Sequence, residues 1–151
     1  MTKRDVQHLK NLTSDGNFRQ KVAAILKDAD GHGYRLSIGS SMRSRKEQEK
    51  KVQQGYSKTM RSKHLPGPDG LARAADIVST RLGWNASPDY WIMVGRLALT
   101  KGLTWGGLWG LPRKMRKELE AFLTKPSTPT EPFNPYEWKG KLGWDVSHVE
   151  T

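Results

Sequence analysis

The segment Ala74-Ala75-Asp76-Ile77-Val78 constrains the fold more than any other stretch of this 151-residue chain. It is short and apolar around one carboxylate, which suits a buried strand. A carboxylate in such a place is costly unless a partner such as a metal or an arginine compensates it. The rest of the chain has to bring that partner to Asp76.

The flanking sequence breaks into short elements. Val22, Ile25 and Leu26 form an apolar stripe that predicts a helix from about Phe18 to Asp30, capped by Ser14 and ended by Gly31 and Gly33. Tyr34 to Ile38 alternates like a strand. Ser44-Arg45-Lys46-Glu47 reads as a capping box opening a helix that stops at Gly55. Ser87-Pro88-Asp89 supplies a cap, a first-turn proline and an acid at the positive dipole end. The helix it starts carries Trp91, Val94, Leu97 and Ala98 and ends before Gly102. Leu103-Thr104-Trp105 is strand-like, Pro112 to Leu123 is helical, and a loop rich in Pro, Ser and Thr spans Pro126 to Pro135. Trp144 to Glu150 is expected to form a final strand. There is no internal repeat, and helices mix with short strands without βαβ regularity, so the expected class is α+β. The length is that of one domain.

Charge narrows the partners without choosing one. The net charge is +11, and residues 1–75 hold sixteen basic against seven acidic side chains. The densest stretch, Arg43 to Lys63, has only Glu47 and Glu49 as counter-charges. Such a field favours nucleic acid, an anionic membrane or an acidic wall polymer. No basic recognition helix with base-reading side chains stands out, so a specific nucleic-acid partner is not expected. Cysteine is absent, which excludes disulfides and cysteine–zinc fingers. The longest apolar run, Tyr90 to Val94, is too short to span a membrane. The first residues lack the apolar region of a secretory signal, so none is expected.

Two histidines and several carboxylates lie near strand ends or tight loops: Ser62-Lys63-His64, then Asp76, and far downstream Asp145-Val146-Ser147-His148-Val149-Glu150. A catalytic zinc site takes three ligands from His, Asp or Glu and keeps one position open for water, whose pKa falls toward ~7. His64, Asp76 and His148 are candidate ligands, with Asp145 or Glu150 as the base. Ordinary hydrogen-bonded histidines at 64 and 148 are the alternative, and His8 and His32 are read that way, in a polar helix and a Gly turn.

At these residues the sequence resembles the zinc D,D-carboxypeptidase and L-alanyl-D-glutamate peptidase family, which includes phage endolysins and is structurally related to Hedgehog domains. Ser62, His64, Gly67, Ala74 and Asp76 follow its Ser-x-His-x-x-Gly-x-Ala-x-Asp motif, and Asp145 with His148 follows its final Asp/Glu-x-x-His. Trp105-Gly106-Gly107-Leu108-Trp109 is similar to its Gly-Trp-rich stretch, and Arg43-Ser44 with Gln48 to its Arg-Ser-x-x-x-Gln segment. The likeness covers roughly residues 34–150. His64 and Asp76 stand twelve positions apart where the motif has seven, so about five residues are inserted in the Pro/Gly loop. Asp69, beside Gly70, is the rival for the ligand position. Residues 110–143 form a second departure, an inserted helix and Pro-rich loop.

The resemblance implies a single domain over residues 1–151 with a small antiparallel sheet and flanking helices. It implies zinc held by His64, Asp76 and His148, with Asp145 as general base. It implies Arg43 as the group that stabilises an oxyanion or grips a substrate carboxylate. A surface pair of Arg43 with Glu47 is the alternative. Ser62 and Glu150 would support the site, with Trp109 as cleft wall. The implied activity is hydrolysis of bacterial peptidoglycan stem peptides, chiefly at the L-alanyl-D-glutamate bond. The alternatives are a D,D-carboxypeptidase releasing terminal D-Ala and a non-catalytic wall-binding module. The expected setting is a monomeric endolysin made in the host cytoplasm and let through the inner membrane to the wall.

Overall fold

The computed structural model describes residues 1–57, 59–124 and 140–151. Its helices are α1 (Lys3–Lys10), α2 (Phe18–Gly31), α3 (Arg45–Gln53), α4 (Pro88–Thr100) and α5 (Arg113–Thr124). Its strands are β1 (Leu36–Ser40), β2 (Ala74–Ser79), β3 (Thr104–Trp105) and β4 (His148–Glu150). They form one sheet in the order β1-β2-β4-β3, with every neighbouring pair antiparallel. The α+β class and the small antiparallel sheet with flanking helices are therefore as expected. Among the described residues no helix is long and apolar enough to cross a membrane.

The strand around Asp76 explains its own composition. All six residues of β2 are buried, so alternation does not show in the sequence. Alternation still governs the two faces. Ala75 and Ile77 join the hydrophobic core with Val149, which pairs with Ala75 in register. Asp76 and His148, also paired in register, turn to the opposite face. Helices α2 and α4 supply most of the core side, through Phe18, Val22, Ile25, Trp91, Val94 and Ala98.

Three expectations shift, each for a local reason. The first strand starts at Leu36, because the Tyr34 N–H closes α2 on the Ala29 carbonyl at 2.9 Å. It runs on to Ser40 through a bulge at Gly39, where the register with β2 slips. Ser14 makes no side-chain cap; the Thr13 hydroxyl accepts the Asp15 N–H at 3.1 Å, and Asn17 enters α2 from a left-handed conformation, φ 60°. The final strand is only His148–Glu150, since residues 145–147 form a turn in which the His148 N–H reaches the Asp145 carbonyl at 3.1 Å. Ser44 does cap α3, accepting the Glu47 N–H at 3.1 Å, and α3 stops before Gly55 at φ 78°. The loop from Pro126 to Pro135 lies outside the described residues.

Two side chains fasten the outer elements. Asp5, 1% exposed, completes a capping box with Thr2 and accepts the Ile38 N–H at 2.8 Å, fixing α1 to β1. Trp105 is wholly buried and donates its indole N–H to the Val146 carbonyl at 2.7 Å, tying β3 to the turn before β4. Its ring rests on Gly95 of α4, where an added Cβ would lie 2.6 Å from the indole. Gly95→Ala is therefore expected to lower unfolding stability by about 1–3 kcal/mol through overpacking. Urea unfolding measures it, and an unchanged midpoint would show that α4 does not hold Trp105.

Candidate metal centre in an open cleft

Asp76, His64 and His148 converge from separate parts of the chain. Asp76 comes from the middle of the sheet, His148 from the first position of the neighbouring strand, and His64 from the loop before β2. One potential ligand atom from each lies within 4.8 Å of the others, and all three residues are buried. His64 Nε2 is 3.4 Å from Asp76 Oδ2, and His148 Nδ1 is 3.9 Å from Asp76 Oδ1.

Hydrogen bonds on the far side of each ligand set its orientation, as metal-ligating groups require. His64 Nδ1 donates to the Ser41 carbonyl, which leaves Nε2 as the lone-pair nitrogen facing Asp76. His148 Nε2 donates to Glu150 Oε1 at 3.0 Å, which turns Nδ1 inward. Glu150 is in turn held by Lys63 at 2.9 Å. Ser147 donates to Asp76 Oδ1 at 3.0 Å, and Arg43 pairs with Oδ2 at 3.3 Å. Arg43 also reaches Gln48 Oε1 at 3.1 Å, and the buried Gln48 amide donates to the Thr59 carbonyl at 2.6 Å.

One atom lacks such a partner. His64 Nε2 is buried and has no hydrogen bond among the described residues. An orphaned buried acceptor costs about 1–3 kcal/mol unless something satisfies it. A metal ion shared with Asp76 and His148 would do so, and two imidazoles with one carboxylate form a donor set suited to a divalent ion of the zinc type. The residues fit the group.

Asp145 stands beside this set, its Oδ2 3.7 Å from His148 Nδ1. Burial and then the nearby Asp76 charge push its carboxyl up to about 6. Burial raises Glu150 too, but hydrogen bonds from His148 and Lys63 outweigh it and hold that carboxyl below its usual value. The two candidates for the base are thereby separated: Glu150 is committed to orienting His148, while Asp145 is poised near neutrality. Asp69 is engaged elsewhere, by the Thr13 hydroxyl, the Leu71 N–H at 3.0 Å and Arg73 at 3.4 Å. Asp76, not Asp69, reaches the histidines.

The Gly-rich stretch places Asp145. Gly106 and Gly107 form a tight turn, and a Cβ on Gly106 would collide with the Asp145 carbonyl. The missing side chain lets the backbones of 106–109 and 143–145 touch, with the Trp144 N–H on the Trp109 carbonyl at 3.2 Å. Trp109 then lies against the His148 ring at 4.8 Å and against Trp144 at 5.3 Å, as cleft wall. Trp105 is core. Ser62 supports the site through the backbone, accepting the His64 N–H at 3.2 Å. Arg43 pairs with Asp76 and Gln48, and no ion pair with Glu47 forms among the described residues.

The site opens into a cleft of about 700 Å³ that Arg43, Lys51, Arg61, Lys63 and Asp145 help to line. Sequence reasoning passed over Ser41 and Ser147 as contributors. Neither carries a local signal, because each acts only through a contact made by the folded sheet.

Among solved structures, the chain is similar to the crystal structure of the Serratia marcescens L-Ala D-Glu endopeptidase ChiX, with a TM-score of 0.58 and 22% identity. The match covers 99% of this chain and 87% of that one. No protein-family model and no curated protein sequence matches. The likeness establishes the fold, an α+β domain of this architecture.

His64 and Asp145 oppose each other in the metal-free protein. Burial, the largest influence, lowers His64 from 6.5 to about 4, so stability falls as pH drops from 6.5 toward 4. Asp145, raised from 3.8 to about 6, adds stability at low pH that is lost as pH rises through 6. Asp145→Asn removes the second contribution. The metal-free variant should therefore lose more stability than wild type between pH 6.5 and 4, read as urea midpoints; parallel curves would refute the assignment of Asp145.

Proposed function

We propose that the protein is a zinc peptidase that hydrolyses peptidoglycan stem peptides at the L-alanyl-D-glutamate bond. The observation that carries this reading is the orphaned His64 nitrogen facing Asp76 and His148 in an open cleft, with Asp145 alongside. The fold shared with an L-Ala D-Glu endopeptidase supports the choice of bond. In this reading residues 1–151 act as one monomeric domain, with residues 110–143 an insertion. The biological setting we propose is a phage endolysin, made in the host cytoplasm and released through the inner membrane to the wall.

His64, Asp76 and His148 would hold the ion, which when bound supplies Lewis-acid polarisation of a scissile carbonyl and a nucleophile at neutral pH. The chain's own groups do the rest. Asp145, with its carboxyl near 6, accepts a proton on Oδ2 and returns it to the leaving amine. Glu150 and Lys63 keep the His148 ring in one orientation. Arg43 has donors left over after its contacts with Asp76 and Gln48, and these stabilise negative charge developing on the substrate carbonyl oxygen.

Digested murein analysed by mass spectrometry tests the bond. Fragments ending in L-Ala, with new D-Glu amino ends, are expected; release of D-Ala alone would point to a D,D-carboxypeptidase. Chelator should stop the reaction, and Asp76→Ala and His148→Ala should each lose bound zinc and lysis. Asp145→Ala should abolish hydrolysis while wall binding persists; retained hydrolysis would remove Asp145 from the mechanism.

The basic stretch leading to His64 steers the enzyme to an anionic wall, an effect that salt screens. Raising salt should therefore slow attack on intact walls more than cleavage of a small soluble peptide. Equal slowing of both would leave the charge without a role in catalysis.

A further inference from the structure

Trp84 lies in the connection between β2 and α4, outside the hydrophobic core and 57% exposed. Its indole rests on the β1 bulge: a Cβ on Gly39 would lie 2.7 Å from Cη2 and 3.0 Å from Cζ2 of the ring. The glycine is thus a seat that holds the ring against the sheet. The indole N–H has no hydrogen-bond partner among the described residues. Trp109 and Trp144, by contrast, stack on each other. The outward face of the seated ring is a fixed, flat apolar surface at the edge of the cleft.

The position of Trp84 says where a ligand on that face would run. Trp84 and Gly39 line the cleft of the candidate metal centre. They also line a second concavity of about 520 Å³, whose wall includes Lys3, Arg4, Ser37 and Thr80. The two concavities meet at the indole. A chain in the cleft that continues past Trp84 meets a mostly apolar wall, in which the Ser37 and Thr80 hydroxyls bond to each other at 2.7 Å and Lys3 and Arg4 supply cationic donors.

We propose that Trp84 is a stacking platform for the amino-sugar strand of peptidoglycan, and that the second concavity takes the neighbouring sugar. The proposal rests on the peptidase reading above and names what lies on the amino side of the cut. In that substrate L-Ala is joined through a lactyl amide to an amino sugar. Only one residue, about 3.5 Å of extended chain, separates the scissile bond from the sugar-bearing end. A cleft that cuts after L-Ala therefore has the sugar at its mouth. A pyranose offers an apolar C–H face and a polar rim, which matches a flat indole with a free N–H at its edge.

The test compares two substrates of the zinc-supplemented protein, a stem peptide with a free L-Ala amino end and the same peptide carrying its N-acetylglucosaminyl–N-acetylmuramyl disaccharide. Wild type should cut the sugar-bearing substrate with a kcat/KM about tenfold higher, mainly through a lower KM, as expected for binding away from the reacting atoms. Trp84→Ala should bring that ratio close to one, and Trp84→Phe should keep part of it. A second readout needs no catalysis: the disaccharide alone should change the tryptophan fluorescence of wild type and not of Trp84→Phe. A wild-type ratio near one, or a ratio that Trp84→Ala leaves intact, overturns the platform. Hydrolysis of the free peptide with no fluorescence response also overturns it, while the peptidase reading survives. A fluorescence response lost in Trp84→Phe, with neither substrate cut, supports the platform and sinks the peptidase reading.

Discussion

The carboxylate of Asp76 organises everything around the cleft. Placed in the second strand of a four-stranded sheet and only 5% exposed, it divides its two oxygens between opposite groups. Oδ2 faces Arg43 and His64, and Oδ1 faces Ser147 and His148. A buried charge left uncompensated would be far costlier than any single packing defect. The arginine and serine make the site tolerable without an ion, and the two histidines make it receptive to one. Structure and chemistry thus draw on the same carboxylate.

Compensation at that depth requires parts distant in sequence. Arg43 stands 33 positions before Asp76, and Ser147 stands 71 after it. The neighbouring hydrogen bonds extend the network outward, from His64 to the Ser41 carbonyl and from the Ser41 hydroxyl to His8 on α1, 2.7 Å away. On the other side it runs from His148 through Glu150 to Lys63. The site is therefore braced on two sides. Its open side is left to the cleft, which Asp145 helps to line.

What the sequence reveals and conceals follows from this arrangement. Asp76 is legible because an acid in an apolar run breaks a local rule, and His64 and His148 because paired residue types stand at motif spacings. Helices α2 and α4 are legible from their apolar stripes. The final strand reads too long because Trp144 and Val146 sustain an alternating pattern, although in the fold Trp144 stacks in the cleft and Val146 serves Trp105 from a turn. Ser41 and Ser147 are ordinary polar residues until the sheet brings buried charge to them. Trp84 carries no periodic signal either, since its seat is a strand bulge that only pairing creates.

The strand order has a kinetic consequence. β4 follows β3 in the chain but lies between β2 and β3 in the sheet. β3 therefore joins the sheet only through β4, whose pairing with β2 is a closure that must span more than seventy residues. Loops of that length are slow to close, and topologies rich in distant contacts fold slowly. The same docking event delivers His148 and Glu150 to Asp76. Completion of the sheet and completion of the site therefore coincide, and a chain whose β4 has not docked lacks His148 and Glu150 beside Asp76.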